Sequence, residues 1–168
     1  MFDCDISLQY RTIGNLSCNT ENSCAFNSGI IGEKSCRDRN SCLLNSGTIG
    51  ADSCREVSAC SRNAGNVGIK SCRGEWACAD RIKGSEIGDD ACRGKMACYN
   101  NTATIGAKSC VGDEACVGAG TVDAAACIGE RACFGNTTQH EAGECVGDYA
   151  CCSGSETDCL SIDPYNYY

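Results

Sequence analysis

Proline occurs once in this chain, histidine once, and Phe, Trp and Tyr together make up 6% of its 168 residues. So few large side chains exclude a broad aliphatic and aromatic core, and something else must hold the chain together. No apolar run reaches the roughly 18 residues of a membrane-spanning helix. Positive charge is outnumbered: 14 basic residues stand against 22 acidic ones, for a net charge of −8. Binders of nucleic acid or anionic membranes carry the opposite balance, so neither partner is expected. The opening MFDCDISLQY lacks the charged and apolar regions of a secretory leader. If the protein is exported, the chain is a processed form or a fragment.

What the chain has in excess is cysteine, 19 residues, and glycine, 20 residues. Thiols at that density are a hazard in a reducing cytosol and point to an oxidising, extracellular or cell-surface location. The cysteines fall in pairs six apart: Cys18 and Cys24, Cys36 and Cys42, Cys54 and Cys60, Cys72 and Cys78, Cys92 and Cys98, Cys110 and Cys116, Cys127 and Cys133, Cys145 and Cys151. The first members follow one another at 18, 18, 18, 20, 18, 17 and 18 residues. One unit, I-G-x-x-S-C-x-G-x-x-A-C-x-x-N-x-x-x, thus repeats over residues 13–157. It is too short for a helical hairpin, and its glycines suit helices badly. The expected fold is all-β: a parallel β-solenoid of about eight 18-residue coils with a disulfide ladder. Residues 1–12 are read as a capping strand, because Phe2, Cys4, Ile6, Leu8 and Tyr10 alternate with polar residues. Residues 158–168, with Pro164 and three tyrosines, are read as a tail or a second cap.

Read column by column, the unit assigns roles. Ile13, Ile31, Ile49, Val67, Ile87, Ile105 and Val122 form a β-branched interior stack, which ends at His140. The glycine after each, Gly14 to Gly106, marks a corner with positive φ or little space. Small residues precede the second cysteine of every pair and the first cysteine of seven, so the walls of the rod lie close together. A disulfide needs Cα atoms about 5.5 Å apart, so the segment between paired cysteines must turn back, and Gly74, Gly94, Gly112, Gly129 and Gly147 are the expected place. Asn27, Asn45, Asn63, Asn101 and Asn136 suit a stacked turn. Lys34, Asp52, Lys70, Asp90 and Lys108 alternate in sign, which predicts a ladder of opposite charges that fixes register. Arg37, Arg55, Arg73 and Arg93 stack like charges. They are read as partly neutralised by Asp38, Glu56 and Glu75, or as a strip for an anionic partner such as a glycan.

Structural zinc favours Cys pairs two to four residues apart, often with histidine, and redox enzymes favour a single C-x-x-C. Eight C-x₅-C pairs fit neither, so neither metal nor cofactor is expected and the cysteines are read as disulfides. Pairing within each unit is simplest, and pairing between stacked units also meets the distance limit. Cys152 and Cys159 are positioned to close the far end, leaving Cys4 odd. No clustered carboxylates or nucleophile–histidine–acid set is apparent, so catalysis is not expected. Asn15, Asn100 and Asn136 each begin an N-x-[ST] acceptor for N-glycosylation.

The C-x₅-C rhythm over residues 18–151 resembles that of the hyperactive antifreeze proteins of beetles, tight disulfide-filled β-helices. That resemblance implies ice binding through a flat threonine array. Here Thr20, Thr48, Thr102, Thr104, Thr121, Thr137 and Thr138 are read as forming no column. The I-G-x-x-S-C-x-G-x-x-A-C unit is also similar to repeats in cysteine-rich secreted or surface proteins of diatoms and other marine algae, a resemblance that implies no activity. The expected function is a non-catalytic structural or adhesive rod in a cell coat, wall or filament, assembling with itself or with matrix subunits through its termini. The alternative is a module that binds ice or glycans.

Overall fold

The computed structural model describes residues 13–80 and 84–153. The expected capping strand with Cys4 and the expected tail at 158–168 with Cys159 lie outside the described residues. Those described form strands and turns with no helix. Four two-residue strands, β1 (Ile30–Ile31), β2 (Thr48–Ile49), β3 (Asn66–Val67) and β4 (Glu86–Ile87), build one parallel sheet in chain order. Isolated parallel bridges carry the same column on, from Ile13↔Ile31 at one side to Ile87↔Ile105, Ile105↔Val122 and Val122↔His140 at the other. In each strand the first residue is exposed and the second buried, as pleating requires.

The β-branched column forms the aliphatic part of the core: Ile31, Ile49, Ile105 and Val122 are 1% exposed. Ile13, the first of the column, is 46% exposed. The rest of the core is mostly sulfur and alanine, with Met96, Val117 and Phe134 also buried. Eight disulfides join the cysteines six apart, with Cα separations of 5.4–5.6 Å. Cys18 is bonded to Cys24, Cys36 to Cys42, Cys54 to Cys60 and Cys72 to Cys78. In the later units Cys92 is bonded to Cys98, Cys110 to Cys116, Cys127 to Cys133 and Cys145 to Cys151. The sulfurs therefore pair within units, and the alternative of pairing between stacked units is excluded for all sixteen. Cys42, Cys78 and Cys98, the second members of inner pairs, are 0% exposed, so each of these bonds is closed inside the molecule. Cys152 is also disulfide-bonded.

Length changes are confined to one part of the unit. The step of 20 residues (Asn66↔Glu86) and the step of 17 (Ile105↔Val122) are both absorbed between the second cysteine and the next strand position. Every disulfide loop keeps its six-residue separation, because its closure leaves no slack.

The turns between paired cysteines hold the expected glycines at their first position, but glycine does not carry their left-handed residue. Between paired cysteines the chain closes a β-turn, as in Ala77 N–H to Gly74 O (3.2 Å) and Ala59 N–H to Glu56 O (3.2 Å). The left-handed residue of this turn is the third, which is not glycine: Asn22, Asn40, Ser58, Trp76, Met96, Glu114, Arg131 and Tyr149 have φ of 53–60°. Positive φ at that position is the signature of a type II turn, which ordinarily selects glycine. Among the described residues a second turn follows six of the pairs, with Phe26, Leu44, Arg62, Asn100, Gly118 and Gly135 left-handed. The glycine two after the first cysteine starts the first turn: Gly94, Gly112, Gly129 and Gly147 have φ of 125–151° there. Most of these glycines also meet the neighbouring unit, and a Cβ on Gly94 would lie 2.5 Å from Gly112 C.

A left-handed backbone costs an L-residue about 1–2 kcal/mol. Leu44, at φ 58° and 46% exposed, bears this cost for little burial. Leu44→Gly is therefore expected to raise the thermal midpoint, with a gain of up to about 1 kcal/mol after glycine's own entropy loss. A lower midpoint in a melting experiment would show that the half-buried leucine contributes more than its backbone costs.

Candidate functional site

Two ladders of polar side chains run through the interior, and both are structural. Serines before the first cysteine link neighbouring units: Ser35 Oγ donates to Gly50 O (2.8 Å) and accepts from Ser53 N–H (3.1 Å). Ser17, Ser53 and Ser71 repeat the arrangement. The sequence shows these residues only as small. Their hydroxyls also satisfy backbone groups that a parallel pair this short leaves without partners. In the asparagine column, Asn45 Nδ2 donates to Asn27 Oδ1 (2.8 Å) and Asn63 Nδ2 to Asn45 Oδ1 (2.9 Å). Asn101 Nδ2 donates to Cys116 O (3.0 Å) and Ala119 O (3.1 Å).

The charge pattern is corrected by the geometry. The acids of the alternating column pair with the arginine column rather than with Lys34, Lys70 or Lys108. Asp52 binds Arg55 at 3.0 Å and also Arg73 of the next unit, while Asp90 binds Arg93 at 3.3 Å. Arg73 additionally donates to the main-chain oxygen of Asp52 through Nε and Nη2, both at 3.2 Å. A guanidinium three residues along the chain reaches the carboxylate, and its fork offers two donors where an ammonium is a point charge. The same contacts correct the expected neutralisers: Asp52 and Asp90 act in place of Asp38, Glu56 and Glu75.

Arg37 stands apart. It is exposed, and among the described residues it forms no ion pair. Lys34 occupies the position that Asp52 fills for Arg55. Arg37, Arg55, Glu56 and Arg73 line a shallow surface depression. The strip does not continue along the molecule, because Arg93 bridges to Val111, Val111 to Ile128 and Ile128 to Val146. One column is thus cationic in the early units and apolar in the later ones, with Val146 63% exposed.

The outward residues of the strand column also revise a reading. Thr48 lies between Ile30 and Asn66, and the bridges place Thr104 beside Glu86 and Thr121 beside Thr104. Three of the threonines therefore do share a column, interrupted by Asn66 and Glu86. Of the glycosylation acceptors, Asn15 and Asn100 are exposed. Asn136 belongs to the asparagine column, and its Nδ2 donates to Cys151 O at 2.8 Å. Its amide nitrogen is thus already engaged.

Ligand atoms of Cys127, Cys133, His140 and Cys145 lie within 4.8 Å of one another, as do those of Cys54, Cys60 and Cys72. All of these sulfurs are in disulfides and offer no thiolate, the form in which cysteine ligates metals. His140 replaces the aliphatic residue of its column and is 3% exposed. Its Nδ1 lies 3.5 Å from Cys145 Sγ.

Among the described residues no helix is long and apolar enough to cross a membrane. No curated protein and no solved structure matches the chain. One family model does, over residues 15–119: a domain of unknown function, DUF7640. That span opens just before the first paired cysteine and closes just after the sixth disulfide, so the match rests on the repeated unit, and the chain belongs to the DUF7640 family.

Proposed function

We propose that this protein is a non-catalytic extracellular structural or adhesive element, a rigid rod for a cell coat, wall or filament. On this reading its eight units wind as successive coils of a parallel β-solenoid. At about 4.8 Å per coil the rod is about 40 Å long. The observation that carries the reading is the interior. The cysteines of the six inner disulfides are 0% exposed, and with alanine and one β-branched residue per unit they fill the space a binding cavity would need. Disulfides at this density also fit an oxidising compartment.

Rods of this kind serve as parts of assemblies, and end contacts that do not close on themselves propagate as fibres. The test is light scattering and electron microscopy of the intact chain and of versions lacking residues 1–10 or 161–168. Assemblies from the intact chain that shrink on truncation support the reading. A chain that stays monomeric at high concentration, with truncations that aggregate, defeats it in favour of simple caps. The rival reading, ice or glycan binding, draws on the Thr48, Thr104 and Thr121 column and on exposed Arg37. Thermal hysteresis or a positive glycan array would favour it.

A further inference from the structure

Seven units end their interior column in isoleucine or valine, and the eighth puts His140 there, stacked on Val122. The exchange is costly in packing terms, because a buried imidazole needs partners. One nitrogen, Nε2, is buried with no hydrogen-bond partner among the described residues. The other, Nδ1, faces Cys145 Sγ at 3.5 Å. That sulfur is in a disulfide and carries no proton, so a hydrogen bond between the two has the ring as donor, Nδ1–H to sulfur.

The disulfide it addresses is unlike the inner ones. Cys145 is 8% exposed and Cys151 is exposed, whereas both cysteines of each inner pair are 0% exposed. Thiol–disulfide exchange depends on access to the attacked sulfur and on how well the leaving sulfur bears negative charge. Cys151 supplies the first condition. Cys145, buried against an N–H donor, supplies the second. Cys18–Cys24, at the other end of the ladder, has partly exposed Cys18 with no histidine beside it, the only one in the chain being His140.

We propose that Cys145–Cys151 is an exchangeable disulfide through which the protein forms mixed disulfides with thiols at Cys151. A thiolate attacks Cys151 Sγ from solvent, and a new S–S bond forms between them. The Cys145–Cys151 bond breaks, and its electron pair stays on Cys145 Sγ as a thiolate. The existing Nδ1–H contact becomes a charge-assisted hydrogen bond to that thiolate, and no proton has to move. One disulfide is lost and one is made, so the step needs no oxidant. A tripeptide thiol or a cysteine on another chain is equivalent chemistry at this site.

The probe is glutathione with the intact, oxidised chain, trapped by alkylation and mapped by peptide mass spectrometry. Glutathione is expected on Cys151 and the alkyl group on Cys145 before any inner pair opens. His140→Ile restores the column's residue and should preserve the melting midpoint while slowing exchange at Cys151 about tenfold, the loss of one hydrogen bond to a charged group. His140→Val, matching Val122, is expected to behave alike. Exchange at Cys18–Cys24 should be unchanged in both, which separates the histidine's effect from fraying of an end. Equal rates at Cys151 in the wild type and both variants would overturn the proposal, as would opening of Cys18–Cys24 at the same rate in the wild type. Loss of rod assembly in the truncations leaves this result untouched, because the two measurements read different residues.

Discussion

With every disulfide reduced and alkylated, the chain is expected to lose its fold altogether. The loop closed by each bond holds about seven residues, worth about 2.4 kcal/mol in the chain-entropy account. Three such losses, about 7 kcal/mol, already match the whole net stability of many domains, which runs to about 5–15 kcal/mol. Packing adds to the loss. The sulfurs of the inner pairs, Cys36 with Cys42 and Cys92 with Cys98 among them, are fully buried. Two alkylated or even free thiols cannot occupy the space of one S–S bond without pushing the walls apart. Little replaces them: seven units contribute one β-branched side chain each and the eighth His140, and among the described residues the other buried apolar side chains larger than alanine are Met96, Val117 and Phe134. Far-UV circular dichroism and protease sensitivity provide the readout. A reduced, alkylated chain with an unchanged spectrum and unchanged resistance would mean that the backbone ladders suffice.

The second large effect is expected at a glycine with an ordinary φ. A Cβ on Gly50 would lie 2.6 Å from both the carbonyl carbon and the oxygen of Gly68, and 2.8 Å from Ile69 N. All three are backbone atoms of the next unit, and they cannot swing aside as a side chain would. Gly50 N–H also donates to Val67 O at 2.7 Å, so relief of the clash stretches a bond between units. Gly50→Ala should cost about 3 kcal/mol, the upper part of the overpacking range. Gly118 makes the contrast: it is left-handed at φ 61°, with nothing within 4 Å of its would-be Cβ. Gly118→Ala should cost about 1 kcal/mol, for the backbone alone. Melting both variants distinguishes close approach from conformational freedom. A larger loss at Gly118 would reverse the assignment.

The disulfide ladder and the β-branched column were legible because both repeat residue type at a fixed step, and the interior tolerates little else. The partner of each cysteine was less so: Cys42, Cys78 and Cys98 have a sulfur six residues back and others in the stacked units, and only the geometry selects the first. Gly14 to Gly106 were legible as a column but not in mechanism, since a crowded glycine and a left-handed one look the same in sequence. The structure decides for crowding there. The turns were not legible. The left-handed position of the first turn holds Asn, Ser, Trp, Met, Glu, Arg and Tyr, so no composition marks it. The charge ladder misled because sign alternation along one column ignores reach. Arg55 and Arg73 extend to Asp52 from a neighbouring column, and side-chain length is invisible to a column count. Thr48, Thr104 and Thr121 were missed as a column because Ile30, Asn66 and Glu86 hold the same position in other units.

The constant six-residue disulfide separation has a mechanical consequence. Pulled from its two ends, a chain yields length as each unit peels away, and an unbridged 18-residue unit would release roughly 63 Å at about 3.5 Å per residue. The bridge takes the residues between its cysteines out of the tensile path and leaves a span of 5.4–5.6 Å in their place. Each unit then gives up about a quarter less slack. Under load the molecule would extend in short, nearly equal increments set by the disulfides, and a thiol in the surroundings would lengthen each increment by the hidden loop.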